Sequence, residues 1–242
     1  MINLNPKGGT ELQYDYLKDY VDKSILDQIQ ITTSVPEKIP LHPTKMNILW
    51  QKNSYDQPNL APWFKDKNNH KKYEWYVFNS HWTYEKFRYQ FDIPTNRSIV
   101  IKNGIDRIQK SSPYKKGEPI KIIHQNTPWR GLSILLGAMQ LVKNPLITLD
   151  VYSSTEVYGK SFYDNNDKYY IALAEKLAFG IESAAKTLHE PQIHNHLEVQ
   201  SHYANAYYNW NKIGHQWETF LKGALDARSQ SANMVYEPRK ER

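Results

Sequence analysis

Ile120-Lys121-Ile122-Ile123-His124-Gln125-Asn126-Thr127-Pro128-Trp129-Arg130-Gly131-Leu132 is the stretch on which the fold turns. Ile120 to His124 reads as a short strand, and a helical pattern runs from Gly131 to Val142. A second strand is expected from Leu146 to Tyr152. Strand, helix and strand at this spacing make a βαβ unit, which predicts a mainly parallel sheet. Arg130-Gly131 sits where the first strand hands over to the helix. A guanidinium there can grip phosphate oxygens in bidentate fashion, and the helix start adds partial positive charge. Gly131 leaves room for close approach. The alternative, a surface arginine beside a helix start, fits less well with Pro128 and Trp129, which give the loop a defined shape.

Working outward, the same alternation continues upstream. Ile29 to Thr33, Met46 to Trp50, Trp75 to Ser80 and Ile99 to Lys102 read as strands, with helices at Glu11 to Val21 and Trp82 to Phe91. Thr10 and Gln13 have the spacing of a capping box for the first helix. Lys110 to Pro119 is a polar stretch of Lys, Ser and Pro without apolar periodicity, as expected of a linker. It divides an N-terminal domain, 1–110, from a second domain, 119–242. From Lys168 to Arg228 the pattern is helical, with Leu173, Leu177, Trp210, Ile213, Trp217 and Leu221 on buried faces. Residues 237–242 are expected to fray.

Composition bounds the chemistry. The 242 residues are 40% hydrophobic and 13% aromatic, enough for a packed core, and the net charge of +6 suits an anionic partner or simply a solvated basic surface. The chain has no cysteine, which excludes disulfides and thiolate catalysis and makes a structural zinc site an unsuitable reading. Met1 to Lys7 lacks an apolar signal core, and no window approaches the roughly 20 apolar residues of a membrane span. A cytoplasmic protein without a transmembrane segment is the expectation, in the host cytoplasm if the gene is viral.

Three further segments could carry chemistry. Gly8-Gly9-Thr10-Glu11 lies just ahead of a helix, where glycines let backbone approach a ligand and free N–H groups attract phosphate; on the local signal alone an ordinary loop with a capped helix is the better explanation, because a Gly-Gly pair is common. Asn103-Gly104 follows a strand and by itself predicts a tight turn with positive φ. It also stands at a strand's carboxyl end, where open α/β sheets bind ligands. His189, His194, His196 and His202 cluster late, but their spacing matches no metal-binding pattern, so no metal is expected.

Taken in order, these segments resemble retaining family-four glycosyltransferases of the GT-B fold. Pro6-Lys7-Gly8-Gly9-Thr10-Glu11 comes first, then Val77-Phe78-Asn79-Ser80-His81-Trp82 with Ile101-Lys102-Asn103-Gly104-Ile105-Asp106, then Thr127-Pro128-Trp129-Arg130-Gly131-Leu132. Tyr208 to Trp217 looks like the family's closing helix. The wording is similar to glycosyltransferases of phages and bacteria. The resemblance implies two Rossmann-like domains, an acceptor-side one and a nucleotide-sugar one, the second incomplete and helix-rich at its end. It implies hexosyl transfer with retention from a UDP- or GDP-linked donor to a glycan, protein or nucleic-acid acceptor, without a cofactor or a metal. By that resemblance Arg130, Gly131, Gly8 and Gly9 would hold the donor diphosphate, and Lys52, Asn103, Gly104 and Glu11 would contact donor or acceptor.

The departures are specific. Where the family usually has a second cation on the phosphates, the chain reads His124-Gln125-Asn126. Where it often has a histidine at a first-domain strand end, the chain reads Trp50-Gln51-Lys52-Asn53. Further βα units and a Glu-rich loop are absent, the gap falling near residues 177–181. Glu190 and Glu198 keep the family's glutamate spacing without its Gly- and Ala-rich context. Two other readings therefore stand beside an active enzyme: a degenerate relative that binds nucleotide or glycan without turnover, and a nucleic-acid-binding protein using its charge and its Tyr and Trp residues.

Overall fold

The computed structural model describes residues 8–110, 112–126, 128, 130–152 and 171–234. The expectations for Pro6, Lys7, Thr127, Trp129, the Leu173 side chain and residues 237–242 lie outside them. The helices are α1 (Gly9–Tyr20), α2 (Lys23–Leu26), α3 (Ala61–Lys65), α4 (His81–Phe91), α5 (Leu132–Leu141), α6 (Ile171–Thr187), α7 (Pro191–Tyr207) and α8 (Trp210–Met234). The strands are β1 (Ile29–Thr33), β2 (Met46–Gln51), β3 (Trp75–Phe78), β4 (Ser98–Val100), β5 (Ile120–His124) and β6 (Ile147–Val151). The architecture is α/β with parallel sheets.

Contacts group the chain into two compact units: Gly9–Arg107 with the described residues from Ala204 onward, and Gly8 with the described residues of Ile108–Tyr203. In the first unit four parallel strands lie in the order β1-β2-β3-β4. Their sequential order has a consequence. Parallel crossovers share one hand, so α3 and α4, which lead into β3 and β4, must lie on the same face. Both do: Phe64, Phe87 and Phe91 pack there on Leu49, Tyr76 and Phe78. The opposite face has to be covered from elsewhere in the chain. Leu17 of α1, Ile25 of α2, and Trp210, Ile213, Trp217 and Leu221 of α8 close over Ile29, Ile31, Met46, Ile48 and Trp50. β2 is buried along its whole length because both layers press on it.

Several expected boundaries shift for local reasons. β3 ends at Phe78 rather than Ser80, because the Ser80 hydroxyl caps α4 by accepting the Thr83 amide at 3.1 Å. α1 begins at Gly9, so Thr10 is already helical and the expected capping box does not form; the Gln13 side chain is spent elsewhere.

In the second unit β5 and β6 pair in parallel from Ile120↔Ile147 to His124↔Val151. They are the two strands among its described residues. α5 meets α6 at two buried alanines, Ala138 and Ala178, flanked by Ile134 and Val142. Turning Ala178 inward turns its neighbour out: Leu177, expected on a buried face, is 39% exposed. α6 runs unbroken through residues 177–181. Among the described residues no helix is long and apolar enough to cross a membrane.

Candidate ligand-binding site

At the carboxyl edge of the four-stranded sheet, the first turns of α1, the end of β2 and the loop after β4 converge. Lys52 shares the face of Trp50, two residues earlier on β2, because side chains alternate along a strand. Its Nζ lies 3.6 Å from the centre of the Trp50 ring and donates to Asn103 Oδ1 at 3.2 Å. Burial pushes the Lys52 ammonium down to about 7, and the Glu11 carboxylate opposes that only in part. Among the residues singled out from the sequence, Glu11, Lys52, Asn103 and Gly104 are therefore neighbours. Gly9 opens α1 and is exposed, while Gly8, just ahead of it, is half-buried.

The loop itself is clamped. Gln13 Nε2 donates to the Gly104 carbonyl at 2.7 Å, and the Gly104 amide donates back to Gln13 Oε1 at 3.0 Å. Neither Asn103 nor Gly104 has a positive φ, so the turn expected from Asn-Gly is not what selects the glycine. Packing selects it: a Cβ at Gly104 would lie 2.4 Å from Trp210 Cδ2 and Cε2. Trp210 is itself held by stacking on Tyr16 and Tyr20. Gly104→Ala is thus expected to destabilise the protein by about 1–3 kcal/mol, the usual cost of overpacking. A urea midpoint unchanged at constant m-value would contradict this.

Lys52 gives a pH prediction. An ammonium whose folded pKa is lowered binds fewer protons than in the unfolded chain between about 7 and the ordinary lysine value near 10.4. Stability should therefore rise with pH across that window. In urea unfolding at pH 7 and pH 9.5, wild type is expected to gain more on alkalinisation than Lys52→Met. Equal gains would show that Lys52 is not desolvated as described.

In the second unit, Arg130 is exposed at the β5–α5 junction and has no hydrogen-bond or ion-pair partner among the described residues. Gly131 takes φ +89° immediately before α5, a conformation that favours glycine. The Leu132 amide is used by the Pro128 carbonyl at 3.0 Å, and Leu135 by Gly131. His124, read from the sequence only as a departure from the family pattern, ends β5 with its Nε2 buried and unpartnered. Glu198 is engaged by Lys110 at 2.9 Å, which lowers its carboxyl pKa. Among the described residues no group of three or more His, Asp or Glu could hold a metal ion.

The sequence reading missed the Tyr55–Trp82 ring pair and the buried polar atoms Gln51 Nε2 and Ser34 Oγ, which lack partners at the ends of β2 and β1. Gln51 closes β2 and Ser34 follows β1, and that position at a strand end was their only sequence signal. No protein-family model matches the chain, and no curated protein matches it in sequence.

Proposed function

We propose that the protein is a cytoplasmic retaining glycosyltransferase built of two Rossmann-like domains, which takes its sugar from a UDP- or GDP-linked donor. The ordered motifs support this reading, and the observation that carries it is Arg130. A guanidinium without a hydrogen-bond or ion-pair partner among the described residues stands where a parallel strand ends and a helix begins, beside a glycine in a left-handed conformation. Such a position suits an anion. In the reaction the anomeric C–O bond breaks as the nucleoside diphosphate departs, and the acceptor oxygen bonds to the same carbon on the same face while its proton passes to an oxygen of the departing diphosphate. Arg130 offsets the charge gathering on the diphosphate, which is catalysis by fixed electrostatics. On the second unit Gly131 keeps backbone clear of an approaching phosphate; the first unit, taken by itself, offers a ligand Gly9 and the polar side chains of Lys52 and Asn103.

A second reading, a relative that binds the nucleotide sugar without turnover, is favoured by one observation. Glu198, which has the family's glutamate spacing, is tied to Lys110. Calorimetric titration with UDP-glucose, UDP-N-acetylglucosamine and GDP-mannose tests the shared premise. Saturable binding to at least one is expected; absence of binding to all three would remove both readings.

A further inference from the structure

Beyond the carboxyl ends of β2 and β3, the loop after β2 and the first turn of α4 bring together an aromatic pair and a cation. Tyr55 and Trp82 meet edge to face with ring centres 6.2 Å apart. Tyr55 is anchored against the core beneath the α3–α4 layer, whereas Trp82 is 57% exposed. More than half of the indole is thus open to a ligand, beyond the edge that it shares with Tyr55. Lys86, one helical turn on, sets its Nζ 5.7 Å from the Trp82 ring and 5.9 Å from the Tyr55 ring. Its ammonium has no carboxylate partner among the described residues. The carboxylate next to it, Glu85, is occupied by Arg88 through bonds of 2.9 and 2.6 Å. The patch is therefore two rings and one uncompensated positive charge, on the side of the sheet where α/β folds take their ligands.

We propose that Tyr55, Trp82 and Lys86 form a subsite for an acidic saccharide: a pyranose ring lies on the Trp82 indole and its carboxylate or sulfate meets Lys86. The proposal deepens the glycosyltransferase reading by naming the acceptor class, and rests on it for that role. A saccharide fits better than a nucleic acid, whose backbone calls for a track of cations rather than one. The flat apolar face matches the C–H face of a sugar ring, and the lone ammonium selects an anionic one.

The test is titration of wild type, Trp82→Ala and Lys86→Met with trigalacturonate, sialyllactose and a heparin disaccharide, with lactose as the neutral control. Trp82 is a surface residue, so circular dichroism should show the fold of Trp82→Ala unchanged. Wild type is expected to bind at least one acidic probe more tightly than lactose. Trp82→Ala should weaken that binding at least tenfold, and Lys86→Met should erase the preference over lactose. No preference in wild type, undiminished binding by Trp82→Ala, or tighter Trp82-dependent binding of a dT8 oligonucleotide would overturn the proposal. The same three proteins are titrated with the nucleotide sugars, whose binding should not change. Saccharide binding without nucleotide-sugar binding would keep the subsite and overturn the glycosyltransferase reading; the reverse would overturn the subsite alone.

Discussion

Trp217→Ala should destabilise the protein by about 3–5 kcal/mol, the usual cost of deleting a large aromatic from a core. Trp217 is wholly buried on α8 and meets Trp50 of β2 edge-on at 4.7 Å, with Phe220 beside it. The consequence goes beyond one cavity. α8 is the main cover for a sheet face that the crossover helices cannot reach, so loosening it exposes Met46, Ile48 and Trp50 together. Trp217 Nε1 has no partner, and Trp217→Phe removes that buried N–H along with part of the ring. Its cost should accordingly be well below that of alanine. Urea denaturation of the three proteins measures both differences; an alanine variant within 1 kcal/mol of wild type would mean that α8 does not seal this core.

Arg130→Ala should leave stability unchanged and weaken nucleotide-sugar binding by roughly 100-fold or more. Two charge-assisted bonds to a diphosphate are worth about 1.5–3 kcal/mol each. Because Arg130 is exposed and unpartnered among the described residues, its removal breaks no hydrogen bond or ion pair among them. Loss of binding can then be read as loss of a ligand contact rather than of fold. Arg130→Lys should recover only part of the affinity, since an ammonium keeps the charge but not the planar fork. Equal affinity of wild type and Arg130→Ala for UDP- and GDP-sugars would remove the diphosphate role.

The elements legible in the sequence were those with strong local patterns. The β1 and β5 boundaries agree with the structure residue for residue, and α5 differs by one residue at each end. Local competition explains one boundary that shifts, where Ser80 leaves β3 to cap α4. Long-range packing was not legible. Helical periodicity marked Trp210, Ile213, Trp217 and Leu221 as buried, but nothing in it says that β1 and β2 are what they cover. Gly104 shows the same limit: Asn-Gly predicts a turn locally, whereas the glycine answers to a tryptophan more than a hundred residues away. Of the site, Lys52, Asn103 and Gly104 could be picked out by their place after strands. The desolvation of Lys52 and the open Tyr55–Trp82 pair are three-dimensional properties that residue types do not encode.

Release of free UDP or GDP from a panel of nucleotide sugars, with water as fallback acceptor, tests the central claim most directly. Wild type is expected to release nucleotide from at least one donor faster than the donor hydrolyses unaided, and Arg130→Ala to return that rate to background. Binding without release would favour the relative that does not turn over. Neither binding nor release, joined to salt-sensitive binding of DNA, would contradict the account.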